Sequence, residues 1–123
     1  MTDTPPLSFD LSSLCELRLD RSALAGLSWK PVGSGVELAW LQRLGEAGLV
    51  LYRLAADAPA DAFSSHVHPG GELYIVLEGS ILDERGRYGE GSLVWLEPGS
   101  RHTPRALGET LILVLWPAGV ELS

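Results

Sequence analysis

Residues 66–79 read HVHPGGELYIVLEG, in which two histidines, a Pro-Gly-Gly turn and a glutamate precede an apolar run. Side chains two positions apart on an extended strand point to the same face, so His66 and His68 are expected to present two imidazoles on one side. Residues 69–71, Pro-Gly-Gly, then turn the chain, because glycine adopts backbone conformations that other residues resist. The turn is able to bring Glu72, the first residue of the next strand, back towards the histidines.

Short strands separated by turns extend in both directions from this stretch. Apolar residues alternate with polar ones, or β-branched and aromatic residues cluster, over several short segments. Only Asp20 suggests a helix, as the cap of a single turn through Leu24, and Leu17 and Leu19 alternate like a short strand. Strands at this spacing predict an all-β sandwich or barrel. The predicted strands are 36–40, 49–54, 73–77, 80–83, 92–96 and 110–116, with turns at 45–48 and 85–87.

The size and charge of the chain exclude several classes of protein. Its 123 residues fit one domain, and a formal net charge of −7 argues against binding to a nucleic-acid backbone. No apolar run approaches the roughly 20 residues of a membrane helix, and the acidic N-terminus does not resemble a secretory signal. Cys15 is the single cysteine, and we expect it to be a small buried hydrophobe. The expected location is the cytoplasm.

A third histidine completes a candidate metal site. His102 follows His68 by 34 residues, a gap that holds three predicted strands and their turns. The chain is therefore able to place His102 on a strand that neighbours the first two histidines. Three imidazoles and one carboxylate suit Zn, Fe, Mn, Ni or Co better than Ca or Mg. The predicted ligands are His66, His68, Glu72 and His102.

These residues resemble the two sequence motifs of the cupins. The first motif, H-x-H-x(3,4)-E-x(6)-G, matches from His66 to Gly79, and the second is similar to the stretch from Gly91 to His102. Six residues separate Gly91 from Pro98, where cupins often have five, and the second motif ends in P-G-S-x-H. In both features the chain resembles the ChrR-like cupins. Leu73 departs from the many relatives that carry a second Glu there. The residues that match this subfamily are Trp29-x-Pro31, Gly35-Val36, His66 to Glu72, Val76 to Gly79, Asp83-Glu84, Tyr88-x-x-Gly91 and Pro98 to His102.

The resemblance implies a jelly-roll β-barrel of the cupin type, with one metal held inside it by the four predicted ligands. It also implies a homodimer, which is the common state of cupins. We expect residues 1–28 to form an N-terminal arm, residues 29–119 the barrel and residues 120–123 a short tail. The resemblance does not imply one activity, because cupins include dioxygenases, isomerases, sensors and storage proteins.

Three functions stay open at this point. An octahedral metal with open positions predicts an enzyme, such as an oxygenase of small enolisable substrates. A closed tetrahedral Zn predicts a ChrR-like sensor or regulatory module without turnover, and a vestigial site predicts no bound metal at all. ChrR proteins carry a separate N-terminal zinc domain, whereas this chain begins about thirty residues before its cupin motif region. We therefore expect no direct anti-sigma activity from this chain, and a regulatory role to require a partner in trans.

Several other side chains are candidates for shaping the site. Tyr74 lies on the same strand face as Glu72. Its hydroxyl is therefore a candidate proton donor or substrate anchor, and the alternative is a core tyrosine with a satisfied hydroxyl. Arg101 and Arg105 flank His102 and are able to clamp a carboxylate, although exposed loop arginines are the more ordinary interpretation. We expect the four tryptophans to lie in the core, although Trp29 and Trp40 are also able to line the cavity mouth or a dimer surface. We expect the acidic pair before the 85–87 turn to be solvated. These residues are Trp29, Trp40, Trp95 and Trp116, and Asp83 and Glu84.

Overall fold

Short strands joined by turns make up almost all of the described chain. The computed structural model describes residues 21–58, 66–67, 69–118 and 121–122. Its one described helix is α1 (Arg21–Ala25), and none of the described helical structure is long and apolar enough to cross a membrane. The strands are β1 (Lys30–Gly33), β2 (Val36–Leu44), β3 (Ala47–Leu54), β4 (His66–Val67), β5 (Glu72–Glu78), β6 (Ile81–Asp83), β7 (Gly86–Tyr88), β8 (Leu93–Leu96), β9 (Arg101–His102), β10 (Arg105–Ala106), β11 (Thr110–Trp116) and β12 (Glu121–Leu122).

These strands form one large antiparallel sheet and two small ones. The large sheet has the order β1-β2-β3-β11-β5-β8, so β11 inserts between two strands that precede it in the chain. The small sheets have the orders β10-β6-β7 and β12-β4-β9. Every described strand pairing is antiparallel and the described helix has only five residues, which confirms the predicted all-β fold.

The inner core lies on the face of the large sheet that meets the β6-containing sheet. Every second residue of β5 is buried, which places Glu72, Tyr74 and Val76 on this inner face. Ile112 and Val114 of β11 pack beside them, and Ile81 of β6 reaches the same cluster from the opposite layer. Side chains alternate between the two faces of β5, and the acidic side chain of Glu72 therefore points into an otherwise apolar interior.

A second core covers the outer face of the large sheet. Leu41 and Leu51 are fully buried there, although they point away from the barrel interior. Leu24 and Leu27 from the region of α1 pack against this cluster, together with Trp29. The indole Nε1 of Trp29 donates a 3.1 Å hydrogen bond to the Leu24 carbonyl, which holds this covering segment in place.

The six predicted strands are all present, and two turn predictions are wrong in detail. The turn predicted at 85–87 lies one residue earlier, so residues from Gly86 onward form β7 instead. The turn predicted at 45–48 is shorter, because Gly48 is a buried strand residue and a Cβ added there meets the Trp40 ring at 2.8 Å. Glycine at position 48 therefore allows the Trp40 ring to pack closely against the backbone. The predicted helical turn is α1, whereas Asp20, Leu17 and Leu19 lie outside the described residues.

The prediction that Trp95 belongs to the core is wrong. Its side chain is 49% exposed, because β8 alternates and turns Val94 and Leu96 inward. Trp95 and Leu93 face outward on a strand at the edge of the large sheet. Trp116, in contrast, is buried as predicted.

Candidate functional site

Two of the four predicted ligands meet inside the barrel. Glu72 begins β5 and His102 ends β9, and their exposures are only 5% and 4%. The His102 Nε2 atom lies 3.8 Å from the Glu72 Oε2 atom. Zinc binds imidazole nitrogen and carboxylate oxygen at about 2.0–2.2 Å each, so one ion is able to contact both atoms.

The other two predicted ligands are partly or wholly outside the described structure. The backbone of His66 lies directly opposite His102 in the register of β4 and β9, whereas His68 is outside the described residues. No three His, Cys, Asp or Glu side chains converge on one point within the described part of the chain, which lacks the His66 side chain and His68. The imidazole and carboxylate that do meet have the donor chemistry that suits a divalent transition metal.

Trp116 fixes the orientation of the Glu72 carboxylate. Its indole Nε1 donates a buried 2.7 Å hydrogen bond to Glu72 Oε1, and this short bond leaves Oε2 on the side of His102. A hydrogen bond to an ionised carboxylate is stronger than one between neutral groups. The Trp40 and Tyr52 rings both pack edge-on against Trp116 at 6.1 Å between centroids, which keeps the donor in position.

A second buried carboxylate contacts the other side of the His102 ring. Asp83 Oδ2 lies 3.7 Å from His102 Nδ1, and the Asp83 side chain has no exposed surface. Its other oxygen, Oδ1, accepts the backbone N–H groups of Arg85 at 2.8 Å and Gly86 at 3.2 Å. The prediction that Asp83 is solvated is therefore wrong. The signal was present in the sequence, because Asp83 follows the apolar Ile81 by two residues on the same strand face.

Glu84 ties the segment after His102 to the turn between β6 and β7. The Glu84 side chain is exposed, as predicted, and its Oε1 accepts the Thr103 backbone N–H at 3.1 Å. Hydrogen bonds from its own amide and from Thr103 hold the pKa of Glu84 below its ordinary value. No local sequence pattern predicts this contact, which holds the residue after His102 close to the turn that follows Asp83.

The buried Tyr74 and the partly buried Tyr52 line the same cavity as Glu72 and His102. Tyr74 is buried on the face that the sequence predicts, and its hydroxyl makes no hydrogen bond to any residue that the structure describes. Burial, with the nearby Asp83 and Glu72 carboxylates, raises the pKa of Tyr74. Burial and Glu72 likewise raise the pKa of Tyr52. Both phenols therefore stay protonated and are able to donate hydrogen bonds in neutral solution.

The cavity beside Glu72 and His102 is small. Its volume is about 20 Å³, which holds a single water molecule or ion, whereas small-molecule sites usually exceed about 300 Å³. The described lining residues are Tyr52, Glu72, Tyr74, Ile81, His102, Pro104, Ile112 and Val114. The described structure thus has room for an ion here, and no room for an organic substrate.

A larger cavity shares none of these lining residues. Its volume is about 510 Å³, and Trp29, Glu37 and Arg53 contribute to its wall. The Arg53 guanidinium stacks 4.0 Å from the centre of the Trp29 ring and contacts Glu37 Oε1 at 2.8 Å. The described wall contains no histidine, so this cavity is separate from the candidate metal site.

The remaining candidate, Arg101, lies on β9 next to His102. Its backbone pairs with that of Val67, and its side chain is not among those described. Arg105, the other flanking arginine, is exposed at the start of β10.

Comparison with known protein families identifies the chain. The model of the ChrR cupin-like domain matches residues 21–119. The chain belongs to the ChrR cupin-like domain family. Within this family it resembles the anti-sigma-E factor ChrR of Cereibacter sphaeroides, at 36% identity over 83 residues. That match covers 68% of this chain and 38% of ChrR, so the chain spans less than two fifths of its curated relative.

Solved structures agree with this family and fold. The ChrR chain from the complex of Rhodobacter sphaeroides SigE with the anti-sigma ChrR superimposes with a TM-score of 0.67 at 30% identity. That match covers 76% of this ChrR-family chain and 50% of the other. A putative acetylacetone dioxygenase from Methylibium petroleiphilum PM1 gives a TM-score of 0.72 at 13% identity, covering 88% and 83% of the two chains. The latter likeness shows the shared cupin fold alone.

Proposed function

We propose that this chain is a ChrR-like regulatory module that binds one divalent transition metal and alters its contact with a protein partner without turning over a substrate. The proposed metal is zinc, with iron as the second choice, because histidine nitrogen and carboxylate oxygen bind both. A bound divalent ion supplies a fixed positive charge and Lewis acidity at this position. The proposed ligands are His66, His68, Glu72 and His102.

The observation that carries this proposal is the meeting of Glu72 and His102 in a buried cavity with room for little more than an ion. A 3.8 Å contact between a carboxylate oxygen and an imidazole nitrogen gives two of the donors that a metal needs. In the register of β4 and β9, the backbone of His66 lies opposite that of His102. Membership of the ChrR cupin-like family supports a regulatory role over a catalytic one.

A metal-dependent oxygenase of small enolisable substrates is the second candidate. The Tyr74 hydroxyl supports it, because this buried donor forms no hydrogen bond with the described residues and lines the same cavity as Glu72 and His102. Such a hydroxyl is able to hold a substrate oxygen. The cavity volume of about 20 Å³ argues against it, since a diketone does not fit there.

Oxygen consumption separates the two candidates. We expect the iron-loaded chain to consume no oxygen above the metal-free control when it is mixed with a panel of β-diketones. Metal analysis of the same sample must confirm that the iron is bound. Sustained oxygen uptake that depends on both iron and one diketone contradicts the regulatory proposal and supports the oxygenase.

We propose a sigma factor as the protein partner, because ChrR forms a solved complex with SigE. This proposal replaces the sequence expectation that the chain has no direct anti-sigma activity. The test is calorimetric titration of the zinc-loaded and the metal-free chain with purified sigma factors from the source organism. We expect one of them to bind, with an affinity that changes when the metal is removed. The same affinity with and without metal, or no binding by any sigma factor, contradicts the regulatory part of the proposal.

We also propose that two copies of this chain associate through the outward face of β8 and β5. Leu93 and Trp95 are 63% and 49% exposed, and their register partners Ile75 and Leu73 are also apolar. Two chains that each carry a net charge of −7 repel one another, so an uncharged face is where they meet at the lowest electrostatic cost. Sedimentation equilibrium is expected to give twice the 13.2 kDa chain mass for the unaltered chain and the single mass for Trp95→Glu. A single mass for both chains contradicts this proposal.

A further inference from the structure

The His102 ring lies between two buried carboxylates. Its Nε2 is 3.8 Å from Glu72 Oε2, and its Nδ1 is 3.7 Å from Asp83 Oδ2. The two nitrogens of a neutral imidazole are not equivalent, because one carries the proton and the other carries the lone pair that binds a metal. The position of the proton therefore decides whether His102 is able to act as a ligand on the side of Glu72.

The surroundings of Asp83 indicate where the proton lies. Oδ1 of Asp83 already accepts two backbone N–H groups, from Arg85 and Gly86. Oδ2 is buried and forms no hydrogen bond that meets ordinary geometry with a described residue. A buried carboxylate oxygen is stable only with a donor nearby, and His102 Nδ1 lies within about 0.5 Å of hydrogen-bonding distance. A small rotation of the ring closes this gap.

The backbone around Asp83 is fixed relative to His102. The turn that follows Asp83 is linked to the residue after His102 by the hydrogen bond from the Thr103 amide to Glu84. β6 and β9 belong to different sheets, so this bond joins two elements that the strand pairing leaves separate. The Tyr88 side chain also interacts with Asp83 from β7, and its pKa is raised by burial and by that carboxylate. The Tyr88 hydroxyl therefore stays protonated and is a second hydrogen-bond donor to the Asp83 carboxylate, beside His102 Nδ1.

We propose that Asp83 is a positioning residue for the metal site, which accepts the Nδ1 proton of His102 and directs the Nε2 lone pair towards Glu72. A carboxylate in this position fixes the orientation of the ring and makes the imidazole a more basic ligand. This inference rests on the proposed metal-binding function, and it assigns to Asp83 a role that neither sequence motif contains. It also specifies Nε2 as the ligating nitrogen.

The test compares Asp83→Asn with the unaltered chain. Asparagine keeps the shape of the side chain and an oxygen for the backbone amides, but it lacks the charge that favours the Nδ1 proton. We expect zinc affinity, measured by competition with a chromophoric chelator, to fall by about 10–100-fold. Asp57→Asn removes a carboxylate from an exposed position and is expected to bind zinc as the unaltered chain does. Circular dichroism checks that both variants are folded.

Nitrogen-15 NMR of the His102 ring supplies a measurement that a merely structural role does not change. In the metal-free chain at about pH 8, above the ordinary imidazole pKa, we expect Nδ1 to carry a slowly exchanging proton, and Asp83→Asn to accelerate its exchange. A proton on Nε2 with Nδ1 bare overturns the inference, as does unchanged zinc affinity in a folded Asp83→Asn variant. Failure of the unaltered chain to bind zinc contradicts the proposed function instead, and the metal-free spectrum still tests the contact between Asp83 and His102.

Discussion

Replacing Gly79 with alanine is expected to lower the free energy of unfolding by about 3 kcal/mol. Gly79 has a φ of 84°, in the left-handed region, where a residue with a Cβ costs roughly 1–2 kcal/mol. The added Cβ also collides with the Glu109 carbonyl oxygen and with Thr110, whose Oγ1 would be 2.5 Å away. Crowding of this kind in a packed region adds about 1–3 kcal/mol, and the backbone oxygen has little room to move.

Gly91 provides a matched control for this prediction. It has the same φ of 84°, but a Cβ added there meets no atom within 4 Å. Gly91→Ala should therefore show only the backbone cost, about 1–2 kcal/mol. Urea denaturation followed by tryptophan fluorescence measures both variants. Equal losses of stability would show that the contact between Gly79 and the start of β11 is not tightly packed.

Replacing His102 with alanine is expected to lower zinc affinity by at least about 100-fold. The substitution removes a proposed ligand. Loss of a residue that only supports a ligand already lowers metal affinity by about 10–100-fold, so loss of the ligand itself is expected to cost more. The 3.8 Å contact with Glu72 Oε2 is lost at the same time. Competition with a chelator of known affinity measures the change in the folded variant.

Thr103→Ala is the control for this second prediction. Thr103 follows His102 and is exposed, and its backbone amide still donates to Glu84 after the substitution. Its zinc affinity is expected to stay within about threefold of the unaltered chain, a small free-energy change. A folded His102→Ala chain that binds zinc as tightly as Thr103→Ala would remove His102 from the proposed ligand set.

The strands were predictable because alternation and β-branched content are local properties of the sequence. The sequence pattern predicts a strand over residues 110–116, and β11 has the same bounds. The face that each strand buries was harder to predict where both faces are apolar. In β8 the residues Leu93, Val94, Trp95 and Leu96 are all apolar, so only the packed structure shows that Trp95 faces outward. Periodicity cannot distinguish the two faces of such a strand.

Two members of the candidate site were predictable from the sequence, but the contacts that support them were not. Glu72 and His102 were identified from motif spacing, and they meet in the structure at 3.8 Å. The hydrogen bond from Trp116 to Glu72 joins residues 44 positions apart, and it depends on the register of β11 against β5. Asp83 contacts His102 across two different sheets. Such contacts follow from tertiary packing, which a local sequence pattern does not encode.

The metal content of the freshly purified chain shows whether the site around Glu72 and His102 binds a transition metal. Elemental analysis combined with X-ray absorption should find about one zinc or iron ion per chain, surrounded by nitrogen and oxygen and without sulfur. The claim is contradicted if the folded chain holds no transition metal, even after incubation with zinc, nickel and iron salts.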